Sequence, residues 1–87
     1  MLKSGIKIMT VGIDIESISN QLPKRAVAVL EKTDRLINFY LSNGNDTRSI
    51  VLYRKDFMTL HEALKDRGFE VNDYIYRGFT LLKDKAP

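Results

Sequence analysis

Nine side chains are the candidates for chemistry: Lys24, Arg25, Tyr40, Tyr53, Arg54, Lys55, Tyr74, Tyr76 and Arg77. Tyrosine rings stack on nucleobases and guanidinium or ammonium groups neutralise phosphates, so tyrosines beside basic residues on one surface suit a nucleic-acid-binding or transcription-regulating module, for single or double strands alike. The same residue types also suit a protein interface, where rings cover apolar area and hydroxyls stay wet. Either chemistry is binding without catalysis. The partner is then expected to be a nucleic acid, or alternatively a protein met through an apolar sheet face.

Other chemistries find less material. The single histidine, His61, and the absence of cysteine leave no Cys-His zinc set and no thiolate nucleophile. There is no Walker loop, no G-x-G-x-x-G and no G-x-S-x-G, so neither a phosphate cradle nor a nucleophile elbow is expected. His61, four residues after Phe57, reads as a residue at the rim of an apolar helical stripe. No enzyme activity, cofactor or metal is predicted.

These side chains need a scaffold, and 87 residues allow one domain, 1–87. A hydrophobic fraction of 44% with 29% charged residues is that of a folded chain. Fourteen basic and eleven acidic residues give a net charge of +3 with the signs intermixed, which tolerates a polyanionic partner without requiring one. No window approaches the roughly 20 apolar residues of a membrane span, and MLKSGIKIMTVGI is a poor signal-peptide core, so a cytoplasmic location with no membrane partner is expected.

The predicted elements form an α+β domain: an antiparallel meander of four or five strands with one main helix packed on one face. A strand is expected over 5–16, with Gly12 at a bulge or close approach, and then a turn or short helix closed by Pro23. Within 25–55, Thr33-Asp34 and residues 43–46 read as turns between three strands. With a four-residue second loop, Ala26, Ala28, Leu30, Ile37, Phe39, Leu41, Ile50 and Leu52 share one apolar face, taken as the core. The other face carries Val27, Val29, Glu31, Leu36, Asn38, Tyr40, Ser49, Val51 and Tyr53. It is too apolar to stand in water, so a covering surface, including a second copy in a homodimer, is expected.

A helix is predicted over 56–67, capped by Asp56, with Thr59 as an alternative start and Gly68 at its end. Its stripe is Phe57, Leu60, Ala63 and Leu64. In the last segment, FEVNDYIYRGFTLLK, Val71, Ile75, Phe79 and Leu82 fit a helical stripe, while the aromatic and β-branched content and Gly78 favour a strand, with an interruption near Asn72-Asp73; the strand is the reading taken. Tyr74 and Tyr76 then lie on the partner-facing side, and Phe79 and Leu81 on the apolar one.

Three partial likenesses accompany these readings. GIDIES, residues 12–17, resembles the opening of phosphopantetheinyl transferases, which implies that Asp14 and Glu16 hold a divalent cation. The plainer reading is the polar side of an edge strand. Arg77-Gly78-Phe79 is similar to part of the RNA-recognition-motif signature, although Thr80, Leu81 and Leu82 supply no second stacking aromatic and the element order differs. A meander followed by RSIVLYRKDFMTLHEALKD resembles the single-strand-binding whirly and Pur-alpha folds, a likeness of topology alone.

Overall fold

The computed structural model describes residues 11–84. They form strand β1 (Gly12–Asp14), a 3-10 helix (Ile15–Gln21), helix α1 (Lys24–Ser42), strand β2 (Ser49–Leu52), helix α2 (Arg54–Lys65) and strands β3 (Asp73–Tyr76) and β4 (Phe79–Lys83). The α+β class stands. The sheet, however, is mixed rather than an antiparallel meander: its order is β1-β3-β4-β2, with β1 parallel to β3, β2 parallel to β4, and only β3 and β4 antiparallel.

The largest correction concerns 25–42, where one 19-residue helix replaces two expected strands. RAVAVL alternates small and branched residues, so it satisfies a period of two over a short window. Over the longer window the buried positions are Ala26, Val29, Leu30, Thr33 and Ile37, which recur every three or four residues. Ala28, Phe39 and Leu41, assigned to the core face of the meander, are exposed. Thr33-Asp34 is no turn. Thr33 is wholly buried, and its hydroxyl donates to the Val29 carbonyl at 2.8 Å, so the helix satisfies its polar group internally. Pro23 caps the start with φ −65°, preset for helix entry.

Helix α2 forms where the sequence predicts a helix, and Phe57, Leu60, Ala63 and Leu64 are its buried residues. It begins two residues earlier than expected: Tyr53 is the N-cap, with no side-chain cap, and Asp56 lies within the first turn. There the carboxylate faces the positive end of the helix dipole. Thr59 is not a cap, because its hydroxyl donates back to Lys55 O at 2.9 Å.

The expected C-terminal strand is a hairpin instead. Arg77 and Gly78, with φ of 53° and 82°, form its two-residue turn. Positive φ at both positions is the geometry that matches the twist of a tight hairpin. Chain reversal sets Tyr76 opposite Phe79 and Tyr74 opposite Leu81. All four therefore point the same way, into the core, which overturns the division into a tyrosine side and an apolar side.

Of the strand expected over 5–16, residues 5–10 lie outside the described residues. Gly12 makes the expected close approach, since a Cβ there would sit 3.0 Å from Ile75 Cδ1. Asp14 then caps the 3-10 helix, accepting from Glu16 N at 3.2 Å.

The result has two layers. One sheet face, with Ile50, Leu52, Tyr74, Tyr76, Phe79 and Leu81, is buried against both helices. The other leaves Val51, Ile75 and Leu82 exposed at 56%, 37% and 40%. No helix among the described residues is long and apolar enough to cross a membrane.

Candidate interaction groove

Helix α1 carries a second stripe, offset from the buried one: Lys32, Arg35, Leu36 and Phe39 recur at helical spacing and line a groove. The facing wall is Val51, Leu52 and Tyr53 of the β2 segment, and Asp56 of α2 closes one end. Its volume is about 470 Å³. A smaller hollow of about 270 Å³ continues it past Tyr40 toward Asp84 and shares Leu36, Val51, Leu52 and Tyr53. Phe39 is 62% exposed and Tyr53 75%, with Leu41 and Val51 also exposed, so large apolar side chains crowd one side of the molecule. Phe39 and Tyr40 support one another with ring centroids 6.0 Å apart at 55°.

Electrostatics at the groove are mainly positive. Lys32 Nζ lies 3.5 Å from Asp56 Oδ2, so this pair largely cancels. Arg35 is exposed and has no ion-pair partner among the described residues. Arg54 and Lys55, both exposed, follow Tyr53 directly on the first turn of α2.

The nine sequence-derived candidates divide. Tyr40, Tyr53, Arg54 and Lys55 gather at or beside the groove. Lys24 and Arg25 are exposed on the first turn of α1, about four helical turns from Phe39. Arg77 caps the hairpin, with its Nε 3.0 Å from Asp34 Oδ1 and 3.6 Å from Glu16 Oε2, and its guanidinium 5.5 Å from the Tyr76 ring centroid.

Tyr74 and Tyr76 are 0% and 5% exposed and offer no ring face to a nucleobase. Burial pushes both phenols above their ordinary pKa, with Asp34 adding to the rise at Tyr76. Each hydroxyl has a partner: Tyr74 shares a 2.5 Å hydrogen bond with His61 Nδ1, and Tyr76 donates to Asp34 Oδ2 at 3.2 Å. His61 also stacks on Phe57, with centroids 6.3 Å apart at 14°, which fits a histidine at the rim of the core.

Lys32, Arg35, Leu36 and Phe39 were absent from the sequence-derived set. Their i, i+3, i+4, i+7 spacing is a signal visible in the sequence, but only once 24–42 is read as helix. The cation reading of GIDIES fares poorly, since Asp14 serves as a cap and Glu16 pairs with Arg77. No group of three or more possible metal ligands occurs among the described residues.

Comparison of the chain with protein-family models, with curated proteins and with solved structures returns no match.

Proposed function

We propose that this chain is a non-catalytic protein-interaction module that docks a partner protein in the groove between α1 and β2. The observation that carries this reading is the pair Phe39 and Tyr53, 62% and 75% exposed on opposite walls of an apolar groove of about 470 Å³. Large rings held in water on both sides of a concave apolar surface are the usual core of a protein interface. A folded chain gains nothing in stability by exposing them.

Nucleic-acid binding was the first expectation from the sequence, and it rested on four tyrosines sharing one surface with basic groups. Burial removes Tyr74 and Tyr76 from that surface, and the cations of Arg77 and Lys32 already face carboxylates. The remaining basic groups near Tyr53 form a rim to an apolar groove rather than a track for a phosphate backbone.

The test is site-specific photo-crosslinking in the host cell with benzoylphenylalanine at Tyr53, and at Asn20 as a control distant in sequence. Discrete protein adducts at Tyr53, lost when Phe39→Ser is added, are expected. Oligonucleotide adducts alone at Tyr53, with anisotropy-detected binding that collapses as salt rises, would overturn the reading in favour of nucleic acid.

A further inference from the structure

Among the described residues β2 has an edge that no strand covers, which adds a second kind of complementarity to this groove. Thr80 N–H donates to Arg48 O and Asp84 N–H donates to Leu52 O, each at 2.8 Å, so Arg48, Ile50 and Leu52 direct their backbone groups toward β4. By the alternation of a strand, the N–H and C=O groups of Ser49 and Val51 point the other way, off the sheet. Among the described residues β2 is the last strand on that side, and Val51 is 56% exposed. An unpaired edge of this kind is a template for one more strand.

We propose that the partner enters as an extended acidic segment that adds to β2 as a fifth strand. This rests on the groove reading above and specifies its occupant. Alternate side chains of the added strand fall on opposite sides. One set enters the hollow between Phe39 and Val51, and the other lies over the open sheet face beside Val51 and Leu82.

Charge selects the acid. Arg35 lines the hollow, Arg48 directly precedes β2 and Lys55 follows it on α2, while of the nearby acids Asp56 is engaged by Lys32 and Asp84 has an interaction of its own. Arg48 stands over the Phe79 ring, 5.2 Å from its centroid, at the end of β2 where an entering carboxylate would meet it.

The same charges disfavour a second copy of this chain. An antiparallel two-fold through Val51 brings the Arg48 end of each copy's β2 toward the Lys55 end of the other's, joining two basic rims. A polynucleotide fits less well: its phosphates accept from cations and N–H groups but donate nothing to the outward carbonyls of Ser49 and Val51, which only base N–H groups could reach. A peptide supplies donors and acceptors alternately, as this edge requires.

The probes are labelled nine-residue peptides of alternating glutamate and valine: the parent, a lysine-for-glutamate version, and a version N-methylated on alternate amides in both registers. Oligo-dT of matched length is the nucleic-acid arm. Anisotropy with the full chain is expected to show binding of the parent peptide, a loss of about tenfold or more on N-methylation, and no binding of the lysine peptide. The Ser49 and Val51 amides are expected to exchange about tenfold more slowly in the complex.

Arg35→Glu, at an exposed position, should weaken parent binding about fivefold without unfolding the chain. Val51→Pro deletes one outward donor and should weaken it further. Equal affinity for the N-methylated or lysine peptide, unprotected Ser49 and Val51 amides, oligo-dT as the preferred ligand, or a β2-to-β2 cross-link between copies would each overturn strand addition. If strand addition fails while crosslinking at Tyr53 still yields Phe39-dependent protein adducts, the groove reading survives. If both fail, neither does.

Discussion

The Tyr76 hydroxyl and the Asp34 carboxylate, 42 positions apart in the chain, meet at 3.2 Å and tie the β3–β4 hairpin to the middle of α1. Asp34 also takes the Arg77 Nε at 3.0 Å, so one helix side chain holds both the last residue of β3 and the turn that follows. The two interactions differ in weight. Tyr76 is buried and its bond to Asp34 is partly shielded, at the wall of a hollow of about 300 Å³ that both residues line, whereas Arg77 is exposed and its ion pairs are screened. Asp34→Ala should cost about 1–3 kcal/mol in urea unfolding, mostly through the orphaned phenol. In a double-mutant cycle with Tyr76→Phe, a coupling of about 0.5–1.5 kcal/mol is expected, and a coupling indistinguishable from zero would show that the contact is incidental.

Alkaline pH should loosen the fold through the same phenols. Burial raises the pKa of Tyr74 and Tyr76 in the folded chain, whereas in the unfolded chain they ionise near the ordinary value of about 10. The unfolded state therefore loses these protons first. Stability from this source is complete below about pH 10 and falls as pH rises through the folded-state values. Urea midpoints measured from pH 8 to 11 should decline at the upper end, and the decline should flatten in Tyr74→Phe/Tyr76→Phe. An unchanged slope in that double variant would assign the loss to other groups.

The hairpin turn is sensitive at its second position. Gly78 has φ +82°, where a side chain is strained even though a methyl group added there would meet nothing within 4 Å. Gly78→Ala is thus expected to destabilise by about 1–2 kcal/mol through backbone conformation alone. Arg77→Asn provides the contrast: asparagine tolerates the left-handed region and completes an Asn-Gly turn, so thermal unfolding should show little loss despite the missing ion pairs.

At the groove, stability and binding should separate. Phe39→Ser alters an exposed side chain and should change unfolding free energy by no more than about 0.5 kcal/mol, whereas Tyr53→Ser puts a hydroxyl at the uncapped start of α2 and should leave stability equal or raise it by about 1 kcal/mol. Binding of a partner in the groove should fall about tenfold or more for each. Leu64→Ala is the opposite case: that side chain is fully buried, and its truncation should cost about 2–5 kcal/mol in urea unfolding.

Helix α2 was legible because its apolar stripe fits only one period and its end is marked. The α1 segment was not, because RAVAVL satisfies two periods and the polar pair Thr33-Asp34 looks like a loop. Its partners decide otherwise: Thr33 bonds within its own helix, and Asp34 is engaged by residues more than forty positions later. The hairpin stayed hidden for a related reason. Arginine is an unusual first residue for a tight turn, and what favours its left-handed backbone there includes ion pairs with Asp34 and Glu16, which no local window contains. Since the binding surface depends on which face of 24–42 looks outward, the misread helix also concealed Lys32, Arg35, Leu36 and Phe39. The exposure of Tyr53 was easier to anticipate, because that ring lies at the junction of two elements whose positions the sequence did reveal.

The strand order carries a consequence for how the chain is made. Among the described residues β1 and β2 do not pair with each other; each pairs with one arm of the β3–β4 hairpin, which lies between them in the sheet. As the polypeptide leaves the ribosome, both outer strands emerge before the segment that must template them. Until residues 73–83 are free, α1 and α2 can associate but have no sheet to cover, and their apolar stripes are open to chaperones or to other nascent chains. Sheet formation is thereby deferred to a single late event, which makes the hairpin the timer of folding as well as its centrepiece.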